Sequence, residues 1–167
     1  MTVFVLMGVS GAGKSTVGRR VSDELSLTFI EGDDFHPPRN VQKMAAGSAL
    51  TDEDRAPWIE ALTNEINARQ PRRDAIVACS ALTKFVRDRL RADVAEPLHF
   101  ILLSADAAII QGRLAKRPLH YMKPGMLGSQ LAALDWPADA IVIDVSRPLD
   151  AVCADVARCI RDLPVQG

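Results

Sequence analysis

The stretch VFVLMGVSGAGKST, residues 3–16, constrains this chain more than any other. A five-residue apolar run leads directly into a glycine-rich loop, and STVGRRVSDEL then sets Val17, Val21 and Leu25 four apart on one helical face. A continuous apolar run of this length suits a strand buried on both faces of a parallel sheet. The loop matches G-x-x-x-x-G-K-[ST] at Gly8, Gly13, Lys14 and Ser15, in the strand–loop–helix setting that the motif requires. Glycines at 8, 11 and 13 let the backbone curl, so that N–H groups of Val9, Ser10, Gly11, Ala12 and Gly13 point at phosphate oxygens. Ser15 and Thr16, opening the helix, add donors that have no partner within it. Lys14 supplies a cation to the β and γ phosphates, and the Ser15 hydroxyl is a ligand for Mg²⁺. The stretch implies a nucleoside-triphosphate site working with ATP and Mg²⁺.

The rest of the chain repeats the alternation of apolar runs and helical patterns. Strands are predicted at 27–30, 75–79, 98–103 and 140–145, and helices at 37–47, 51–70, 82–94, 106–117 and 149–163. Residues 118–128 fit neither period and read as a mobile excursion. Strands separated by helices require right-handed parallel crossovers, hence an α/β fold: a three-layer α/β/α sandwich with five core strands. At 167 residues one domain, 1–167, is expected.

Charge and cysteines narrow the functional classes. Twenty basic against 21 acidic side chains give no field for wrapping nucleic acid. No apolar run approaches the ~20 residues of a membrane span, and the first residues lack a basic leader, so a soluble, cytoplasmic protein is expected. Cys79, Cys153 and Cys159 have no metal-ligand spacing and read as free thiols. A GTPase would need N-K-x-D and a D-x-x-G after a strand, and neither is present.

The third strand, AIVAC, ends without an aspartate, so another group must steady the metal or take a proton. EGDDFHPPRN, residues 31–40, follows the second strand at the carboxyl edge of the sheet, where ligands sit in open α/β folds. Asp33 is the best placed acid there, either as acceptor of a hydroxyl proton or as holder of a metal-bound water. Asp34 reads as a turn residue. His36 either donates to a polyol oxygen or a carboxylate, or closes the turn. Asp144, ending the last strand, reads as a structural acid. Arg55 and Arg87 lie near helix starts at the same edge and suit a fork for a substrate carboxylate. Arg113 and Arg117, four apart, suit a lid over the phosphates.

Taken together, VLMGVSGAGKST, GDDFHPPRNVQKMAAG, LTDEDRAPWIEAL, CSALTKFVRDRLR and RLAKRPLHYMKPGMLGSQLAAL resemble the small bacterial-type gluconokinases of the P-loop kinase group over nearly the whole chain. The resemblance implies ATP:D-gluconate 6-phosphotransferase activity, a shikimate-kinase-like sheet of order 2-3-1-4-5, a lid over about 113–128, and a homodimer. It implies Asp33 as the catalytic carboxylate, with Lys14 and Arg117 beside it. His36, Arg55, Arg87 and Ser80, Ala81 and Leu82 fall to the acceptor pocket, His120 to the lid, and Gln130 just after it. Thr83 and Val86 depart from the pattern, where a basic residue and an aromatic are usual, as does Pro118-Leu119 before the histidine. Rival readings are a kinase for shikimate or another small polar acceptor, a non-catalytic ATP-sensing module, and a nucleic-acid-end kinase.

Overall fold

A computed structural model describes residues 1–69, 73–116 and 126–163. Five strands, β1 (Val3–Met7), β2 (Thr28–Glu31), β3 (Ala75–Ala78), β4 (Leu98–Ser104) and β5 (Ile141–Asp144), form one sheet of order β2-β3-β1-β4-β5. Every pairing is parallel. The order is the one that the resemblance implies, and it puts the strand carrying the glycine-rich loop at the centre.

The period-2 alternation of β1 divides the core. Phe4 and Leu6 face one layer, with Val17 and Val21 of α1 (Lys14–Leu25) and Val156 and Ile160 of a C-terminal helix, Leu149–Asp162. Val3, Val5 and Met7 face the other, against Trp58, Leu62 and Ile66 of a long helix, Asp52–Ala68, and Val86 and Leu90 of the helix after β3. All five β1 side chains are buried, as a strand covered on both faces requires.

Between α1 and the last helix lie α2 (Pro38–Ala45), α3 (Asp52–Ala68), α4 (Lys84–Asp93), α5 (Ala107–Ala115) and α6 (Met126–Ala133), and Leu149–Asp162 is α7. Predicted boundaries hold to within two residues. The exception is α6, which starts inside the segment read as irregular. Its sequence, MLGSQLAA, has a glycine in the middle and no clear polar face, so periodicity alone does not announce a helix.

Two close approaches set the carboxyl edge. Gly8 has φ +141°, and a Cβ there would stand 2.6 Å from the Leu103 carbonyl oxygen. A Cβ on Gly32 would stand 2.5 Å from the carbonyl oxygen of Ala78. Glycine at both positions lets the loop after β1 and the turn after β2 lie flush against neighbouring strand ends. Parallel register then brings Gly8, Glu31 and Cys79 to one edge, because Glu31 pairs with Ala78 and Leu6 with Ala78.

Candidate active site

The loop after β1 runs straight into α1, with Gly13 at the N-cap in the left-handed region at φ 96°. Lys14 folds over it, its ammonium donating to the Gly8 and Val9 carbonyls at 3.0 and 3.1 Å. The Gly8 N–H donates to the Ser80 carbonyl at 3.2 Å, tying the loop to the end of β3. The Ser10 N–H donates to Gln130 Oε1 at 2.7 Å, which brings α6 against the loop's apex.

Beside the loop opens a cleft of about 340 Å³, lined by Gly11, Gly13, Thr16, Arg113, Lys116, Val145, Arg147 and Leu149. Arg113 donates to the Val145 carbonyl and so sits in the wall of this cleft. Asp144 is occupied by its own turn. It accepts from the Ser146 N–H and hydroxyl, both at 2.8 Å, as a structural acid does.

The opposite side of the loop is built by the turn after β2, a single 3₁₀ turn over Gly32–Phe35. Asp33 stands there about half exposed, with its Oδ1 3.9 Å from His36 Nε2. The imidazole stacks on Trp58 at 4.3 Å between ring centroids and an interplanar angle of 14°. Trp58 in turn donates its indole N–H to the Gly32 carbonyl at 2.7 Å. Burial pushes the His36 imidazole below its usual range, with Asp33 opposing and Arg55 adding to the effect. Asp34 is exposed in the turn.

Glu31 is a site residue that its spacing in the sequence does not single out. Burial raises its carboxyl above the usual range, while the Ser15 hydroxyl, acting as a donor, holds it down in part. Arg19 stands 3.6 Å away. Nothing in residue spacing says that the end of β2 faces the first turn of α1; the register of the sheet does. The buried Cys79 thiol, pushed up to about 12 by burial and then by Asp33, feels Lys14 and Glu31 as well. These three charged groups therefore converge at the end of β3.

A second, small hollow of about 70 Å³ is lined by Met44, Leu50, Arg55, Leu82, Ser129 and Gln130. Arg55, Leu82 and Gln130 thus come together as expected. Arg55 also donates to Asp52 at 2.9 Å. Arg87 is placed differently from a substrate fork. It is 4% exposed, and its guanidinium donates to the Ala81, Leu82 and Asp135 carbonyls at 2.9, 2.8 and 2.8 Å. Two of these bonds hold the loop after β3, in which Ala81 sits at φ 43°, a left-handed conformation that costs energy without such an anchor, and the third ties that loop to the chain after α6. Arg117 and His120 lie outside the described residues.

The ligand set suits a hard divalent ion. Ser15, Glu31 and Asp33 offer oxygen donors, and among the described residues there is no group of three or more His, Cys, Asp or Glu side chains able to cage a metal. In nucleotide sites generally, magnesium is bound by one or two protein oxygens together with substrate phosphates.

A family model described as "AAA domain" matches residues 3–134. The thermoresistant gluconokinase of Escherichia coli (strain K12) is 41% identical over 164 residues, covering 95% of this chain and 93% of that protein. The chain belongs to the gluconokinase family. A crystal structure of a gluconokinase from Sinorhizobium meliloti 1021 superposes with TM-score 0.79 at 35% identity, covering 96% of this chain and 95% of that one. An unliganded sugar kinase from Janibacter sp. HTCC2649 superposes with TM-score 0.87 at 38% identity, covering the same shares.

Two departures of this gluconokinase-family chain have local explanations. Thr83 is the N-cap of α4, its hydroxyl accepting from the Val86 N–H at 3.4 Å. Val86 is buried in the core beneath α3 and α4. Pro118-Leu119 lies outside the described residues.

Proposed function

We propose that the chain transfers the γ-phosphoryl group of ATP to the 6-hydroxyl of D-gluconate. The observation that carries the reading is the convergence of Lys14, Glu31 and Asp33 at one strand end beside the nucleotide loop, in a chain of this family. Magnesium, when bound with ATP, shields phosphate charge and aligns the transferred group. Ser15 would hold it directly and Asp33 through a metal-bound water, with Glu31 beside Ser15. Lys14 swings from the Gly8 and Val9 carbonyls to the phosphates, a short move for a flexible ammonium. Asp33 takes the hydroxyl proton. Arg55 pairs with the acceptor carboxylate, and Arg87 presents Ser80, Ala81 and Leu82 by holding their loop.

The lid that the resemblance implies over about 113–128 belongs to this reading, with Arg113 in the cleft wall and Arg117 and His120 outside the described residues, and the whole of 1–167 is taken as one kinase domain. Closure excludes water, which would otherwise hydrolyse ATP. Arg147 in the wall of the cleft is the candidate for contact with the base. The enzyme works in the cytoplasm, a location supported by its three free cysteines. It pairs as a homodimer. Exposed Trp136 and the edge-strand residues Ile141 and Val142 support that pairing, because they leave apolar surface beside an unpaired strand edge.

An ADP-release assay over sugar acids, polyols and shikimate tests the reading. Gluconate is expected to stimulate turnover most. Stimulation by shikimate in its place, or by no acceptor, would contradict it.

A further inference from the structure

Asn40 is fully buried in the first turns of α2, and its side chain does more than fill space. Its Nδ2 donates to the Asp54 carbonyl at 2.8 Å and lies 3.4 Å from His36 Nδ1. A backbone carbonyl only accepts, so the Asp54 contact fixes which end of the amide is the NH₂. The atom facing His36 is therefore a donor. A proton on Nδ1 would set two donors against each other in a buried place, so Nδ1 carries a lone pair and the ring proton resides on Nε2. The other end of the amide, Oδ1, has no hydrogen-bond partner among the described residues, so the polar contribution of Asn40 rests on its donor end.

The ring cannot turn away from this arrangement. It is clamped against Trp58 at 4.3 Å, and its side chain is only 6% exposed. Nε2–H consequently points to the side of Asp33, whose Oδ1 is 3.9 Å distant. A fixed donor and a carboxylate oxygen at that separation match one hydroxyl group. An oxygen about 2.8 Å from each sees them at roughly a right angle, which a hydroxyl's own donor and acceptor directions accommodate.

We propose that Asn40 is a positioning residue, which locks His36 as the Nε2–H tautomer so that His36 and Asp33 together grip the reacting hydroxyl of the acceptor. The inference rests on the phosphotransfer reading above. The hydroxyl donates its proton to Asp33 and accepts from His36 with one lone pair. Its second lone pair is thereby aimed at the γ-phosphorus. As the new O–P bond forms, the bond from phosphorus to the β–γ bridging oxygen breaks, ADP leaves, and the proton passes to Asp33. A carbonyl at that carbon accepts from His36 but has nothing to donate to Asp33, so the oxidised analogue is selected against.

Nitrogen-15 NMR of the histidine side chains in the full chain is the test, with the His36 signals assigned by their loss in His36→Gln. The wild type is expected to show a neutral ring protonated at Nε2, and Asn40→Asp, which replaces the donor by an acceptor, a proton on Nδ1. A wild-type proton on Nδ1, or no change in Asn40→Asp, would overturn the lock. Kinetics supply an arm that does not need Asn40 variants to fold. The amide nitrogen of His36→Gln reaches the Nε2 position and that of His36→Asn reaches Nδ1. The glutamine variant should keep acceptor kcat/KM within about tenfold while the asparagine variant loses on the order of a hundredfold, both with unchanged KM for ATP. Equal losses would overturn the grip. Absence of gluconate turnover in the wild type would sink the functional reading and leave the tautomer still measurable.

Discussion

Glu31 is held between two demands at the scale of a single residue. Burial favours its neutral form, whereas a carboxylate beside Ser15 is what a metal site wants. Its folded pKa is raised, so its contribution to stability is fully present below the unfolded value of 4.5 and is lost as pH rises through the folded value. At neutral pH the ionised side chain therefore costs stability. Glu31→Gln is expected to melt higher than the wild type at pH 7 and level with it near pH 4, while Mg²⁺-dependent turnover falls. Parallel melting curves across that range would contradict the assignment. Asp33→Ala should lower kcat by about 10² to 10⁴ and leave ATP binding intact, measured by turnover and by nucleotide titration. The sequence pointed to Asp33 because the third strand lacks a terminal acid. It passed over Glu31 because what distinguishes Glu31 is its neighbour Ser15, sixteen residues away in the chain and adjacent only through the sheet.

Between elements, the turn after β2 is fastened to α3 rather than left as a loop. Lys43 of α2 pairs with Asp54 at 2.5 Å, and Asp54 and Thr51 form a reciprocal capping box at the start of α3. These contacts hold the Asp54 carboxyl at about 2, the Lys43 contact foremost. Trp58 closes the assembly through its bond to Gly32 and its stack on His36. Trp58→Phe retains a buried ring but leaves the Gly32 carbonyl without its donor. A loss of about 1–3 kcal/mol in stability is expected, together with a raised KM for the acceptor and an unchanged KM for ATP. Denaturant melts and steady-state kinetics check it, and a shift in KM for ATP alone would contradict the placement. Thr51-Asp-Glu-Asp54 spells the capping box of α3, and Pro37-Pro38 the start of α2. The job of Arg87 was not legible. An arginine near a helix start reads as an outward fork, and only the path of residues 81–83, with Ala81 in a left-handed conformation, turns it inward.

For the whole molecule, alternation of strands and helices identified a three-layer sandwich, and the resemblance supplied the strand order. What neither gave was how exposed β5 is. AIVIDV is as apolar as the central strands, yet Ile141 and Val142 are 39% and 45% exposed because β5 has a neighbour on one side only. The three thiols report on the same layering. Cys79 is fully buried with its pKa pushed up to about 12, whereas Cys159 is only partly buried. A thiol reagent should modify Cys159 in the native protein and Cys79 only as fast as the chain unfolds; comparable native rates, read by peptide mass, would contradict the packing around β3.

The central claim is a phosphoryl transfer to one hydroxyl of one acceptor, and the product shows it most directly. The full chain is incubated with ATP, Mg²⁺ and D-gluconate, and the product is examined by proton–phosphorus correlation NMR. A phosphomonoester coupled to the two protons of carbon 6, formed in step with ADP, is the expected result. ADP and inorganic phosphate with no phosphorylated gluconate, or a phosphate on any other carbon, would contradict the account.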